Sequence, residues 1–413
     1  MPRLLLLLPT GTYRTDDFVK AAEKLNIDLT AASEEPSTFE KREPSRLLTL
    51  DLRNPQKAAR QAKAFSLKFP IDAVIGVDDE TNLVAAAIAD ALSLPHNGVS
   101  SASDTWNKFR MRQRLREADI PIPSFQLLSL SENPEKHSRT ASFPCVLKPV
   151  NLSAGRGVIR ADTPEDFIAA FQRIKKILAA SPGIQTEPGE SGILAETFIP
   201  GVEVAFEGFM DGGELRTLAI FDKPDPLDGP FFPETLYITP SRLSPEIQAE
   251  ITRWVGKSAA ALGIRTGPLH AELRVNPDGP WVIEVAARSI GGKCSRVLRF
   301  GTGSSLEELI IRQALGLKIH DFKRESASAG VLMLPVPSAG ILNEIKGVED
   351  ARNIPGIREI DLSGHPGQTV APLPEGHPAY LGFLFAGGPD PDSVEKSLRE
   401  AGNRIRILIT LED

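Results

Sequence analysis

The sequence predicts an α/β fold divided into several lobes. Three observations point there. The first hundred residues alternate buried-strand and helix patterns, as a mostly parallel sheet with crossover helices requires. The middle of the chain carries longer strand patterns joined by glycine turns. The stretch Gly267–Lys293, GPLHAELRVNPDGPWVIEVAARSIGGK, has the form of a hairpin with paired acidic residues. A chain of 413 residues holds roughly two to four domains around ample core. A hydrophobic content of 41% and a charged content of 24% are those of a soluble globular protein. The net charge of −7 gives no support to nucleic-acid or anionic-membrane binding. Cys145 and Cys294 suggest neither a disulfide framework nor a zinc site and fit a reducing compartment, so a cytoplasmic location is expected. The run Leu4–Leu8 is too short for a signal segment and reads as a buried strand; no stretch approaches membrane-spanning length.

The elements follow in order. Over residues 1–103 strands are expected at Arg3–Leu8, Asp28–Ala32, Leu47–Asp51 and Ala73–Val77, with helices at Thr15–Leu25, Asn54–Lys68 and Glu80–Leu92. Gly11 and Gly76-Val77-Asp78 fall at carboxyl ends of strands, where such sheets bind ligands. No full GxGxxG occurs, so a nicotinamide site is unsupported. Asp104–Asp119 reads as one helix. Lys108, Arg110, Arg112, Arg114 and Arg116 fall mostly on its solvated face, Met111 and Leu115 on its inward stripe. Ser129–Ser142 reads as a polar linker. Phe143–Val150 is a strand bearing Lys148, and Asn151–Val158 a loop of small residues, including Ser153, Gly155 and Gly157. Such a loop lets backbone N–H groups approach phosphates, although a plain glycine hairpin accounts for it equally. Thr163-Pro164 starts a helix running to about Ala180. Further strands are Gly192–Ile199, Glu203–Met210 and Glu214–Phe221. The proline-rich loop Asp222–Arg242 is long enough to suggest function. Ser244-Pro245 starts a helix through Leu262, and Ser304 with Glu307 has capping-box spacing before a helix ending at Gly316. From Ser326 a smaller α/β lobe is expected: strands Ala329–Leu334, Ile357–Leu362, Tyr380–Ala386 and Arg406–Thr410, and the helix Asp392–Ala401.

In the hairpin, folding about Asp278 sets Glu272 opposite Glu284. Strand alternation then places His270, Arg274, Ala286 and Arg288 on the same face. Leu269, Ala271, Leu273, Val275, Ile283 and Val285 make a core face. Like charges directly opposite each other are destabilising. A hard cation such as Mg²⁺ between them relieves this, and so does simple pairing with Arg274 and Arg288; the pattern alone admits both.

The order of these parts carries more than any single one. Lys108, Lys148, the small-residue loop, Glu196-x-Phe-Ile-x-Gly-x-Glu203 and the Glu272…Glu284 hairpin occur in sequence. This resembles the ATP-grasp ligases, and closely the branch of L-amino-acid ligases and carnosine-synthase-like enzymes. The resemblance implies an ATP-grasp fold: a Rossmann-like lobe over residues 1–103, a grasp domain over 104–320 with its lid at about 140–200, and a small α/β lobe over 321–413. It implies that Lys108 and Lys148 contact ATP phosphates, and that the loop with Ser153, Gly155 and Gly157 closes over them. Glu196 would accept from the adenine amine, Phe198 and Ile199 form the hinge, and Glu203 hold the ribose. Glu272 and Glu284 would ligate Mg²⁺, or Mn²⁺. Arg288 would stabilise the reaction centre with His270 nearby, and the amides of Gly291 and Gly292 would receive a substrate carboxylate. Two departures stand out: Ala286 replaces an asparagine ligand common in relatives, and Leu152 and Ala154 replace loop glycines. The implied activity joins a carboxylate to an amine, such as two amino acids, through an acyl-phosphate; a homodimer is implied as well. The rivals are bicarbonate or formate activation and non-catalytic ATP binding.

Overall fold

The computed structural model describes residues 1–181, 191–301, 303–376 and 380–411, so part of the expected lid, 182–190, lies outside the described residues. The first lobe is a parallel sheet in the order Leu47–Thr49, Asp28–Ser33, Arg3–Leu7, Ala73–Gly76. Its helices Thr15–Lys24, Pro55–Ser66 and Asp79–Ala91 pack on it as the sequence predicts. Asn54 caps the second helix, and Asp78 and Thr81 form a capping box on the third. Strand and helix meet so closely there that a Cβ on Gly76 would lie 2.5 Å from the Thr81 backbone.

A second, antiparallel sheet follows in the order Phe125–Leu128, Ile193–Thr197, Cys145–Pro149, Ile159–Ala161. The helix Pro164–Ala179, with the Thr163/Asp166 capping box, buries Phe167, Phe171 and Ile174 against it. The largest sheet has eight strands: Gly279–Ala286, Gly267–Asn276, Val202–Asp211, Glu214–Lys223, Leu236–Thr239, Ser328–Pro335, Tyr380–Gly388 and Ile357–Leu362. It runs without interruption across residue 320, where the sequence suggests a lobe boundary. A three-stranded sheet of Thr369–Val370, Gly340–Lys346 and Arg406–Thr410 completes the chain. Among the described residues no helix is long and apolar enough to cross a membrane.

Several local expectations need correction. The single helix expected over 104–119 is two, Val99–Trp106 and Lys108–Glu117. Asn107 breaks it: its backbone is extended, and its side chain accepts from the amides of Phe109 and Arg110. A side chain that caps its own backbone competes with helix continuation. The linker around Pro134 contains the short helix Pro134–Ser138, capped by Asn133. The capping box before the helix Leu306–Ala314 is Ser305 with Glu308, one residue later than expected. Phe125–Leu128, Gly340–Lys346 and Thr369–Val370 are strands the sequence pattern does not reveal, and the expected proline-rich loop Asp222–Arg242 contains another, Leu236–Thr239, paired with Ser328–Pro335.

In the hairpin Glu272 pairs with Glu284 and His270 with Ala286, as expected, while Leu273 pairs with Val282. Ile283 is therefore the extra residue of a bulge, and it turns to the cavity side instead of the core. Val282 takes the core position, fully buried with Leu269, Ala271, Leu273 and Val285 against Ile251, Val255 and Ala259 of the helix Pro245–Ala261. This packing fixes which face the glutamates use. Leu273→Ala should therefore cost about 2–5 kcal/mol, read as a lower urea midpoint with an unchanged m value. A cost below about 1 kcal/mol would mean that this face is not core.

Candidate active site

The site is a cavity of about 370 Å³ where the first lobe, the second sheet and the hairpin meet. Lys108, Lys148, Ser153, Gly155, Glu196, Phe198, Ile199, Glu203, His270, Glu272, Glu284, Arg288, Gly291 and Gly292 all line it. Of the residues singled out from sequence only Gly157 stands off; its amide donates to the Pro374 carbonyl at 2.8 Å, behind the loop.

One wall is cationic. The backbone break at Asn107 puts Lys108 at the first helical position, where its amide donates to the Val150 carbonyl at 2.8 Å. Its Nζ lies 2.8 Å from the Leu152 carbonyl and 3.1 Å from Glu284 Oε1. Lys148 Nζ and Arg112 Nε each sit 2.5 Å from one oxygen of Glu196, which is only 4% exposed. Burial opposes ionisation of Glu196, but Arg112 and Lys148 outweigh it and hold its carboxyl below the usual range. Arg112 also donates to the Ile283 carbonyl and is 1% exposed, which corrects its assignment to a solvated face. A guanidinium at that depth is stable only because a carboxylate and a carbonyl receive it.

A second group of lining residues gathers carboxylates around one lysine. Lys223 Nζ lies 2.8 Å from Glu203, 2.6 Å from Glu234 and 2.9 Å from Glu272. Burial works against the charge on Glu272, yet Lys223 and then His270 hold it well below the ordinary carboxylate range. Glu234 behaves oppositely: burial, with the neighbouring Glu272 charge, pushes it up to about 7 despite Lys223. His270 stands between Glu207, 3.4 Å from Nδ1, and Glu272, 3.8 Å from Nε2. Arg274 joins this group to the hinge. It contacts Glu203 Oε2 at 3.1 Å and the Ile199 carbonyl at 3.0 Å, reaches the Leu227 carbonyl, and stacks on the Phe198 ring at 4.8 Å.

The first lobe supplies the roof. Arg288 Nε lies 2.9 Å from Asp79 Oδ2. Arg14 donates to the Ser289 hydroxyl and the Ile290 carbonyl, and the Gly292 amide donates to the Tyr13 hydroxyl at 2.8 Å. The Gly292 backbone, at φ +59°, packs so tightly that a Cβ would fall 2.0 Å from Met333 Cε. Glu207 is fully buried and accepts from the Ile290 amide at 3.0 Å.

Arg14, Tyr13, Asp79, Arg112, Glu207, Lys223 and Glu234 escaped the sequence reading. Some signals were present. Tyr13 and Arg14 follow Gly11 at a strand's carboxyl end, and Glu234 lies in the proline-rich segment. Nothing in the sequence distinguishes Arg112 from its neighbours.

Comparison with known proteins places the fold. Three family models match: the ATP-grasp N-terminal domain over residues 19–96, the ATP-grasp domain over 141–297, and the L-amino acid ligase C-terminal domain 2 over 332–410. The fold is that of an ATP-grasp protein, and the chain resembles the ATP-grasp carboxylate–amine ligases. Within them the likeness runs to the L-amino-acid ligases. The crystal structure of the L-amino acid ligase from Bacillus licheniformis superposes with a TM-score of 0.84, at 26% identity, over 100% of this chain and 99% of that one. An uncharacterized protein y4rH of Sinorhizobium fredii is 23% identical over 97% of this chain and 82% of its own. The alanine–anticapsin ligase of Bacillus subtilis is 25% identical over 55% of this chain, which spans only 50% of that protein.

Burial disfavours the charged imidazole of His270, but Glu207 and Glu272 more than restore it and raise its pKa above 6.5. A group raised on folding contributes stability below its unfolded value and loses it as pH rises through the folded one. In metal-free buffer the urea midpoint should therefore fall as pH rises above about 6.5, and fall less in His270→Gln. A steeper fall in the variant would contradict this placement of the imidazole.

Proposed function

We propose that the protein is an ATP-dependent ligase that joins the carboxylate of one amino acid to the amine of another through an acyl-phosphate. The observation that carries this is the meeting of three cationic side chains and a cross-strand carboxylate pair in one cavity. Lys108, Lys148 and Arg288 line it together with the cross-strand pair Glu272 and Glu284. A polyanionic nucleotide needs the first set, and a divalent cation needs the second.

The residues present fit Mg²⁺. Glu272 and Glu284 offer hard oxygen donors from adjacent strands, and each has a lysine ammonium against it, Lys223 and Lys108. Ala286 contributes no donor, so the ligand set would be the two glutamates, nucleotide oxygens and water. When bound, the ion would neutralise phosphate charge and polarise the transferring group.

The chain's own residues then have separate tasks. Each oxygen of Glu196 is engaged once, by Arg112 and by Lys148, so Glu196 aims Lys148 at phosphate and keeps acceptor capacity for the adenine amine beside the hinge. Glu203, held by Arg274 and Lys223, faces the ribose. Ser153 and Gly155, which line the cavity, would cover the phosphates of a bound nucleotide. A substrate carboxylate oxygen attacks the γ-phosphorus and ADP leaves. The amine then attacks the acyl carbon, loses a proton, and expels phosphate. Arg288, fixed by Asp79, neutralises charge that builds on the acyl oxygens, an electrostatic contribution worth about 10²–10³ in rate. His270, between Glu207 and Glu272, lies beside the reaction centre and orients Glu272. Gly292 gives its amide to Tyr13, and with Gly291 it shapes the wall that receives a substrate carboxylate.

The test is ADP release from Mg·ATP with amino acids singly and in pairs, with bicarbonate and formate as controls. Release that requires two amino acids, with a dipeptide mass, is expected; release with bicarbonate or formate would overturn the reading. Glu284→Ala should abolish turnover while the fold persists. Arg288→Ala should lower kcat about 10²–10³-fold with little change in KM, whereas a pure KM effect would assign it to ground-state binding.

A further inference from the structure

Lys223 is held by more carboxylates than any role in grasping phosphate requires. Its ammonium has three N–H donors, and Glu203, Glu234 and Glu272 lie at 2.8, 2.6 and 2.9 Å. The donors are saturated, and the side chain is 3% exposed. Lys108 differs, since its ammonium lies against one carboxylate and one carbonyl at the cavity wall. The three carboxylates come from separate elements: Glu203 from the strand Val202–Asp211, Glu234 from the proline-rich segment and Glu272 from the hairpin. One oxygen from each lies within 4.8 Å of the others, a spacing that suits a metal ion. The lysine ammonium occupies that place.

We propose that Lys223 is a built-in cation, standing where the carboxylate cluster would otherwise recruit a second divalent metal ion. Geometry and charge both require a cation there. Three carboxyl groups so close together repel when ionised; Arg274 offsets only the far side of Glu203, and His270 stands against Glu272 alone. A tethered ammonium supplies the charge permanently and occupies one oxygen of Glu272, leaving the other for the ion shared with Glu284. Ala286, the cross-strand partner of His270, removes a donor from the same face, so the hairpin is furnished for one divalent ion and not two. Lys223 is thus a positioning residue that ties the ribose-side carboxylate to the metal-side carboxylate. The inference rests on the reading of Glu272 as a metal ligand given above.

The experiment counts Mn²⁺ bound per chain by electron paramagnetic resonance, on the full chain without nucleotide or amino acids. Lys223→Met should bind one ion more than the wild type, and Lys223→Arg, which keeps the charge, should not. Equal counts for Lys223→Met and wild type, or an added ion in Lys223→Arg, would overturn the proposal. Lys223→Met leaves the three carboxyl groups without their shared cation and is expected to be destabilised, so its thermal midpoint is followed with and without Mn²⁺. Recovery of the midpoint on adding Mn²⁺, with little effect on wild type, supports the proposal, because an ion that binds only the folded state stabilises it. No recovery overturns it. At Mg²⁺ equal to ATP the variant should turn over about 10–100-fold more slowly, and excess Mn²⁺ should return part of the loss. The ion count needs no substrate, so it stands if the ligase reading fails. Loss of ADP-dependent Mn²⁺ binding in Glu284→Ala tests that reading separately.

Discussion

Two carboxylates opposite each other on an antiparallel hairpin would drive the strands apart unless cations sat between or beside them. Everything around the site answers that constraint. Lys108 stands against Glu284 and Lys223 against Glu272, each ammonium at salt-bridge distance. Lys108 reaches its partner only because Asn107 ends one helix and starts another. Lys223 reaches Glu272 because it closes a strand two positions across the sheet from the hairpin, whose intervening strand carries Glu203. The helix Pro245–Ala261, through Ile251, Val255 and Ala259, holds the opposite face and prevents the hairpin from turning its glutamates inward.

The same logic explains why the first lobe cannot be detached from the chemistry. Arg288 is oriented by Asp79 at the start of a first-lobe helix, and the Ser289–Gly292 turn is held by Arg14 and Tyr13. A cationic side chain poised over a polyanionic substrate must not collapse onto the nearby glutamates. An anchor on another lobe prevents that, and burial makes the anchor strong. Glu196 does the same for Lys148 from within the second sheet.

Much of this was legible in the sequence. The first lobe alternates strongly apolar strands with capped helices, and its order emerged nearly intact. The opposition of Glu272 and Glu284 was anticipated from a period of two and a turn centred on Asp278, but Asn276 pairs with Gly279 around Pro277-Asp278, and the bulge at Ile283 is what restores that opposition. What escaped has physical causes. Ile283 turned to the cavity because a bulge adds a residue, and bulges leave no mark in an apolar run. Arg112 looks like its neighbours in a basic helix, yet a buried Glu196 claims it from another element. Lys223 and Glu234 flank a long loop, and their meeting with Glu203 and Glu272 depends on tertiary pairing. Long-range ion pairs of this kind have no local period to betray them.

The central claim is that a carboxylate is activated by phosphorylation before an amine displaces it. The most direct measurement uses an amino acid labelled with oxygen-18 in its carboxylate, turned over with Mg·ATP and an acceptor amino acid. If an acyl-phosphate forms, one labelled oxygen leaves the substrate and appears in the released inorganic phosphate, with the other retained in the new amide. Product formation with unlabelled phosphate would contradict the account, because the carboxylate oxygen would never have been bonded to phosphorus.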